Sequence, residues 1–308
     1  ESLVGRMNTL LPNLIVIGAA KCGTTSLHTY LGDHPEVFAT DQKELHFFIS
    51  ERSWSTWERG LDWYRDHFRG GEGYPVRVES SPGYSYDEFA DQVAARMSSI
   101  VPNVRIIYMI RDPISRIRSH YAEELFGGRL PPTLPLREII RSQGTGGGKI
   151  QRHFYGRLVN TSKYWTQLVR YRKYFESDQI LLVRTEGLES QPLQEMRRIL
   201  QFIGVNDDAI PSSVGQRLNR RTEKRLRVRD PASPIRRLWG YDKLVDLIPS
   251  TMIEWYREWT SRDVDYKVLS RLHKRDINYL RDVLGPDIKR LEDALDFDLS
   301  DWGLLDSH

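Results

Sequence analysis

Apolar residues in this chain arrive in short, nearly unbroken runs, separated by longer stretches in which they recur every three or four positions. The runs are LIVI from Leu14, Val37-Phe38, VRVE from Val76, VRIIYMI from Val104 and ILLV from Ile180. Runs this short and this rich in β-branched side chains predict strands buried on both faces, as in a parallel sheet. Helical spacing fills the intervals: about Thr25 to Gly32, Asp87 to Ile100, Ser115 to Phe126, Tyr155 to Phe175, and Leu193 to Ile203 with a glycine stop at Gly204. Strands alternating with helices predict an α/β fold, a parallel β-sheet flanked by helices on both faces. From Pro249 onward the chain reads as helical, with Leu269 to Leu284 closing before Gly285, so the C-terminal region is expected to be helical.

The first run does more than fill a core. Leu14 to Leu31 reads LIVIGAAKCGTTSLHTYL, a strand entering a turn bracketed by Gly18 and Gly23 and leaving as a helix. Glycines let the backbone curl and approach a ligand, and the amides of Gly23 to Ser26 open a helix whose positive end attracts an anion. Thr24, Thr25 and Ser26 add hydroxyls. The spacing is that of a nucleotide-binding P-loop with one departure: Thr24 stands where a kinase carries its lysine, and the lysine sits earlier, at Lys21. There it suits a group at the very start of the helix, such as the bridging oxygen of a 5'-phosphate. The bland alternative is a glycine turn between core elements.

Three further stretches carry candidate chemistry. In DQKELHFF, from Asp41 to Phe48, an extended backbone would put Glu44 and His46 on one face, an acid and an imidazole suited to proton abstraction. Taken alone, they equally read as a solvated carboxylate and a neighbour of Phe47-Phe48. The turn Ser80 to Tyr84 follows a strand at the end where open parallel sheets bind ligands. Arg111-Asp112-Pro113 leaves the VRIIYMI strand, and Ser119 lies two turns along the next helix, so a guanidinium fork and a hydroxyl could clamp one phosphate. Arg111 could instead pair with Asp112 or a helix carbonyl.

Composition narrows the class. The 308 residues carry a net charge of +3, too mild a bias to imply nucleic acid. Between Arg217 and Arg237 nine Lys or Arg face only Glu223 and Asp230, but no aromatic residue is interleaved for base stacking. The single cysteine, Cys22, excludes an internal disulfide, and no metal-ligand spacing appears. No apolar run reaches the length of a membrane span, so the chain reads as soluble and cytoplasmic. Ser53 to Phe68 carries Trp54, Trp57, Trp63, Tyr64 and Phe68, read as core with some rings at a ligand cleft. Leu130 to Pro135 and Gly144 to Gly148 mark a mobile loop at about 127–150. No internal repeat or strong break divides residues 1–308, read as a single domain.

Together these motifs resemble the sulfotransferases that use 3'-phosphoadenosine 5'-phosphosulfate (PAPS), in particular bacterial members related to the Golgi heparan sulfate enzymes. The phosphate loop is similar to the family's 5'-phosphosulfate loop, implying that Lys21, Cys22, Gly23, Thr24, Thr25 and Ser26 line the donor site. Lys21 would stabilise the leaving oxygen. DQKELHFF resembles the K-E-x-x-F-F stretch whose glutamate is the proposed base, implying Glu44 as base and His46 in support. RDPxxRxxS from Arg111 resembles the 3'-phosphate element, implying Arg111 and Ser119. The E-x-S/T-P-x-Y turn makes Glu79, Ser81 and Tyr84 acceptor-side candidates. A basic loop over about 215–237 would cap the nucleotide, with Arg220, Arg221 and Lys224 as candidates. The family's adenine-touching tyrosine is replaced by Thr185. The resemblance implies PAPS without metal, and a small-molecule, glycolipid or carbohydrate acceptor. Competing readings are a P-loop kinase and a non-catalytic binder of anionic polymers.

Overall fold

The computed structural model describes residues 10–145, 147–216, 226–229, 261–264, 266–295 and 298–304. Five strands, β1 (Leu14–Gly18), β2 (Val37–Ala39), β3 (Val76–Ser80), β4 (Arg105–Ile110) and β5 (Ile180–Arg184), form one sheet in the order β2-β3-β1-β4-β5. All four pairings are parallel. Every residue of β1 is buried, which its central place requires. After β1 the chain moves to one side for β2 and β3, then crosses to the other for β4 and β5. Ligands bind where the order reverses, beyond the carboxyl ends of the strands, and here that is the end of β1.

Nine helices flanking or following these strands are named in chain order: α1 (Thr24–Gly32), α2 (Gly60–Asp66), α3 (Ala90–Ile100), α4 (Pro113–Phe126), α5 (Leu136–Thr145), α6 (Lys149–Leu158), α7 (Tyr164–Tyr171), α8 (Thr185–Ser190) and α9 (Pro192–Ile203). Among the described residues a short helical turn, Tyr266–Leu269, follows, and then a long helix, named α10, over Lys274–Leu295. Amphipathic α9 buries Met196, Ile199, Leu200 and Ile203 at helical spacing and ends on Gly204 at φ 76°, the left-handed stop that glycine adopts most readily.

Four local expectations are corrected. Segment 127–150 contains α5 and the start of α6, because Leu136, Ile139 and Ile140 are buried on one helical face. Tyr155 to Phe175 is broken into α6 and α7 by a 3-10 turn at Asn160–Ser162. Leu226–Arg229, within the basic stretch, pairs antiparallel with Ser261–Val264, within the stretch expected to be helical. Gly285 does not end the last helix: α10 passes through it and Pro286 to Leu295. Glycine and proline are weak stops where the flanking Leu284, Ile288 and Leu291 are all buried.

The chain divides into two compact units. The first takes Glu1–Arg116, Asn160–Arg220 and Leu284–His308 and holds the parallel sheet. The second takes Ile117–Val159 and Arg221–Val283. Inside the second, buried Glu124 is faced by His120 at 3.2 Å, Arg157 at 3.2 Å and Arg129 at 2.5 Å, which together hold its carboxyl down at about 2 against the effect of burial. Tyr266 donates to the Arg118 carbonyl at 3.0 Å.

In the first unit, Asp287 caps α7 from far along the chain. It accepts from the amides of Trp165 (2.9 Å) and Thr166 (3.0 Å) and from the Thr166 hydroxyl (2.5 Å), satisfying donors that the first turn of a helix leaves open. Asp287→Ala would strand those donors, so we expect a loss of about 1–3 kcal/mol of stability. Urea unfolding of the two proteins measures it, and an unchanged midpoint would remove the cap from the account.

Candidate functional site

The phosphate loop joins β1 to α1, and its backbone is committed carbonyl by carbonyl. The Ala19 carbonyl accepts from the Cys22 amide (3.1 Å) and the Ala20 carbonyl from Arg116 Nη1 (3.1 Å). The Lys21 carbonyl accepts from Arg111 Nη1 (3.4 Å), that of Cys22 from the Thr185 hydroxyl (2.8 Å), and that of Gly23 from the Leu27 amide (3.1 Å). A trans peptide points its N–H opposite its C=O, so fixing the Cys22 and Gly23 carbonyls aims the Gly23 and Thr24 amides away from the fold's interior. Gly23 has φ 84° and Lys21 has φ 72°, left-handed geometry that glycine accepts freely and lysine does not. No N-cap side chain covers the start of α1. At Gly18, φ is 140° and an added Cβ would strike the Ser85 side chain, so the turn after β3 packs directly on the loop.

Behind the loop, Arg116 is fully buried and also donates to Ser162 Oγ at 2.7 Å. Its hydrogen bonds hold a guanidinium that burial alone would expel. Cys22 is buried and its thiol is pushed up to about 11, chiefly by that burial, so it fills space without being a nucleophile. Thr185 is buried and donates to both the Cys22 and Ile110 carbonyls, so it braces the loop and has no surface for an adenine ring.

Over the start of α1 lies the segment 40–48. Lys43, which the sequence reading passed over, directs Nζ to Thr25 Oγ1 (3.0 Å), Thr24 Oγ1 (3.3 Å) and Glu44 Oε1 (3.4 Å). Its signal was its place beside Glu44, but only folding back over the helix gives it meaning. The segment is not extended: Glu44 has φ 63° and His46 φ 52°. The two side chains still meet, with His46 Nε2 3.6 Å from Glu44 Oε2, a charge contact longer than a hydrogen bond. Glu44 is held down to about 2, mainly by the His46 ring and further by Lys43, while partial burial works the other way. It is therefore ionised at neutral pH and able to accept a proton. The His46 ring also meets the exposed Trp54 edge-on, centroids 4.7 Å apart.

Glu79, Ser81 and Tyr84 sit elsewhere than expected for groups that touch an acceptor. All three are fully buried and bond to one another. Tyr64 and Phe68 are core, as the aromatic stretch suggested, and Trp54 is exposed. Arg111, half-buried, leaves β4 in the first unit, and Asp112 caps α4 by accepting from the Ser115 amide at 2.7 Å. Ser119, half-exposed on α4, belongs to the second unit. Arg220, Arg221 and Lys224 lie outside the described residues.

An uncapped nine-residue helix start, two hydroxyls and the Lys43 ammonium, with Lys21 in the loop just before the helix, fit a multiply charged anion. An ionised carboxylate beside it fits proton removal. This combination defines an α/β transferase built around a phosphate loop. The chain belongs to the sulfotransferase family: the family model for the sulfotransferase domain matches residues 11–225. Mouse heparan sulfate glucosamine 3-O-sulfotransferase 3B1 is 31% identical over 195 residues, 63% of this chain and 46% of that protein. Human bifunctional heparan sulfate N-deacetylase/N-sulfotransferase 2 is 27% identical over 206 residues, 63% of this chain and 22% of that protein. The matched region thus spans about half or less of these relatives. A sulfotransferase from Alicyclobacillus acidocaldarius has the same fold, with TM-score 0.67 at 24% identity over 94% of this chain and 98% of that one. No helix among the described residues is long and apolar enough to cross a membrane.

The depressed acidity of Glu44 gives a direct test. Its folded value near 2 lies below the ordinary 4.5, so the stabilisation it brings is in place above about pH 4.5 and is lost as pH falls through about 2. In His46→Ala the carboxyl should titrate closer to 4.5, read by carboxylate NMR. A value still near 2 would assign the effect to Lys43.

Proposed function

We propose that this enzyme transfers a sulfuryl group from PAPS to a hydroxyl or amine, with Glu44 as proton acceptor and the phosphate loop as donor cradle. The observation that carries the reading is Lys43, which links the hydroxyls at the start of α1 to the Glu44 carboxylate and so joins anion site and base in one constellation. When bound, PAPS supplies an activated sulfuryl group and leaves as adenosine 3',5'-bisphosphate. Lys21 and the amides of Gly23 to Ser26 would hold the 5'-phosphosulfate, with Cys22 packed beneath and Thr24 and Thr25 adding hydroxyl donors. Arg111, which follows β4 in the first unit, would take the 3'-phosphate. This division uses fixed cations where charge develops, a preorganised term worth roughly 3–4 kcal/mol for one good donor.

Glu44 takes the proton of the acceptor, and His46 holds the carboxylate's orientation. Lys43 adds to the His46 ring in lowering the basicity of Glu44 while the donor site is empty; withdrawing toward the donor's charge would raise the carboxylate's basicity. The relatives named for heparan sulfate favour a carbohydrate acceptor over the lipid and small-molecule alternatives.

Calorimetric titration tests the donor. Adenosine 3',5'-bisphosphate should bind more tightly than 5'-AMP by about tenfold or more, roughly 1.4 kcal/mol, and Arg111→Ala should erase that margin. Preference for magnesium ATP would turn the assignment to phosphate transfer. For Glu44→Gln, bisphosphate binding should survive while turnover falls roughly a hundredfold to ten-thousandfold. Lys21→Ala should lower turnover by roughly a hundredfold to a thousandfold and binding by much less. Equal losses in turnover and binding would make Lys21 a binding group alone.

A further inference from the structure

We propose that Glu79, Ser81 and Tyr84 form a buried positioning device that sets the backbone of residues 44–48 and so aims Glu44, without touching either substrate. The proposal rests on the reading of Glu44 as proton acceptor. It starts from a backbone problem: two residues of the segment, Glu44 and His46, lie in left-handed geometry, which non-glycine residues hold only where surroundings impose it.

The imposing contacts can be named. Glu79, on β3 beside Ile15 of β1, is fully buried, and its carboxylate receives three hydroxyl donors. Ser81 Oγ donates to Oε1 at 2.6 Å and Tyr84 to Oε1 at 2.8 Å, while Tyr64 donates to Oε2. Because the carboxylate takes these hydrogens, the oxygens of Ser81 and Tyr84 keep lone pairs for other donors. Both use them on the segment that carries the base. The His46 amide donates to Ser81 Oγ at 3.1 Å, and the Phe48 amide to the Tyr84 hydroxyl at 3.4 Å. A third tie, the Glu44 amide to the Ser80 carbonyl at 3.0 Å, comes from the end of the same strand.

Aromatic packing seals the arrangement. Phe47 stacks on Tyr64 with centroids 4.1 Å apart, and Phe48 meets Tyr64 and Tyr84 edge-on at 5.5 and 5.6 Å. Excluding water strengthens each hydrogen bond to the carboxylate and makes its loss costly. Gly83 lies under the His46 ring, where an added Cβ would come within 3.3 Å of Nδ1. The turn after β3 therefore sets three things at once: the His46 amide, the floor beneath its ring and, through the ring, the neighbouring Glu44 carboxylate.

Ser81→Ala tests the device by deleting the arm to His46 while leaving Glu79 two donors. Amide exchange across 44–48 in the enzyme alone should rise about tenfold or more. Turnover should fall by about tenfold to a hundredfold, the scale of a small misplacement, with bisphosphate affinity kept within about twofold. Wild-type exchange across 44–48, unchanged turnover, or an equal loss of bisphosphate affinity would each overturn it. Tyr84→Phe, which deletes the arm to Phe48 together with one donor to Glu79 and leaves the carboxylate two, serves the same comparison if Ser81→Ala does not fold. The exchange readout needs no acceptor, so a Glu44→Gln protein that retained transfer would sink the base assignment while leaving the anchoring of the segment separately decided.

Discussion

The site depends on where five consecutive carbonyls point. From Ala19 to Gly23 each carbonyl has a donor within the fold, and three of those donors are side chains from other elements: Arg116, Arg111 and Thr185. A loop whose carbonyls were free would turn some of them toward an incoming anion and repel it. Tying them from behind leaves the amides at the start of α1 as the forward-facing groups, already oriented before any ligand arrives. The cost is a fully buried guanidinium at Arg116, offset by two hydrogen bonds within its reach.

That constraint explains the order of the motifs. Arg111 follows β4, which pairs with β1, Arg116 lies on α4 just after it, and Thr185 begins the helix after β5, which pairs with β4. The sheet order therefore delivers the struts to the loop from one side. From the other side, β3 delivers the turn that anchors residues 44–48. The central strand is braced by its two neighbours in different ways: one side ties the phosphate loop, the other ties residues 44–48. His28 joins the two halves, its ring nitrogens meeting Ser80 Oγ at 2.8 Å and the Thr40 carbonyl at 3.1 Å, with burial lowering its basicity so that it stays a neutral bridge.

The parts legible in the sequence were those with local causes. β1, β4 and β5 follow from apolar runs, and the phosphate loop from glycine spacing and a helix start. The left-handed backbone at Glu44 and His46 has no local signature, since neither residue favours it; it comes from contacts with a turn more than thirty positions away. Separation along the chain likewise hid Lys43, which reaches back to Thr24 and Thr25 on α1, and Arg116, which reaches the Ala20 carbonyl. Glu79, Ser81 and Tyr84 were noticed for their chemistry, yet that chemistry is turned inward. Polar residue types at a strand end signal a ligand site or a buried network equally well, and only burial separates them.

Lys43 and His46 act on Glu44 together but with different consequences for chemistry. Both hold the carboxylate ionised, and a base held near 2 is a feeble one. His46 has its backbone anchored by Ser81, so its influence is fixed by the scaffold. Lys43 sits on a long side chain already shared between Glu44 and the hydroxyls over α1, and an arriving anion competes for it. Filling the anion site would then draw positive charge away from Glu44 and raise its basicity when a donor is present to make proton removal productive. On the proposed reading of Glu44 as proton acceptor, donor occupancy and base strength would be linked through the Lys43 ammonium, while the larger influence of His46 stays in place.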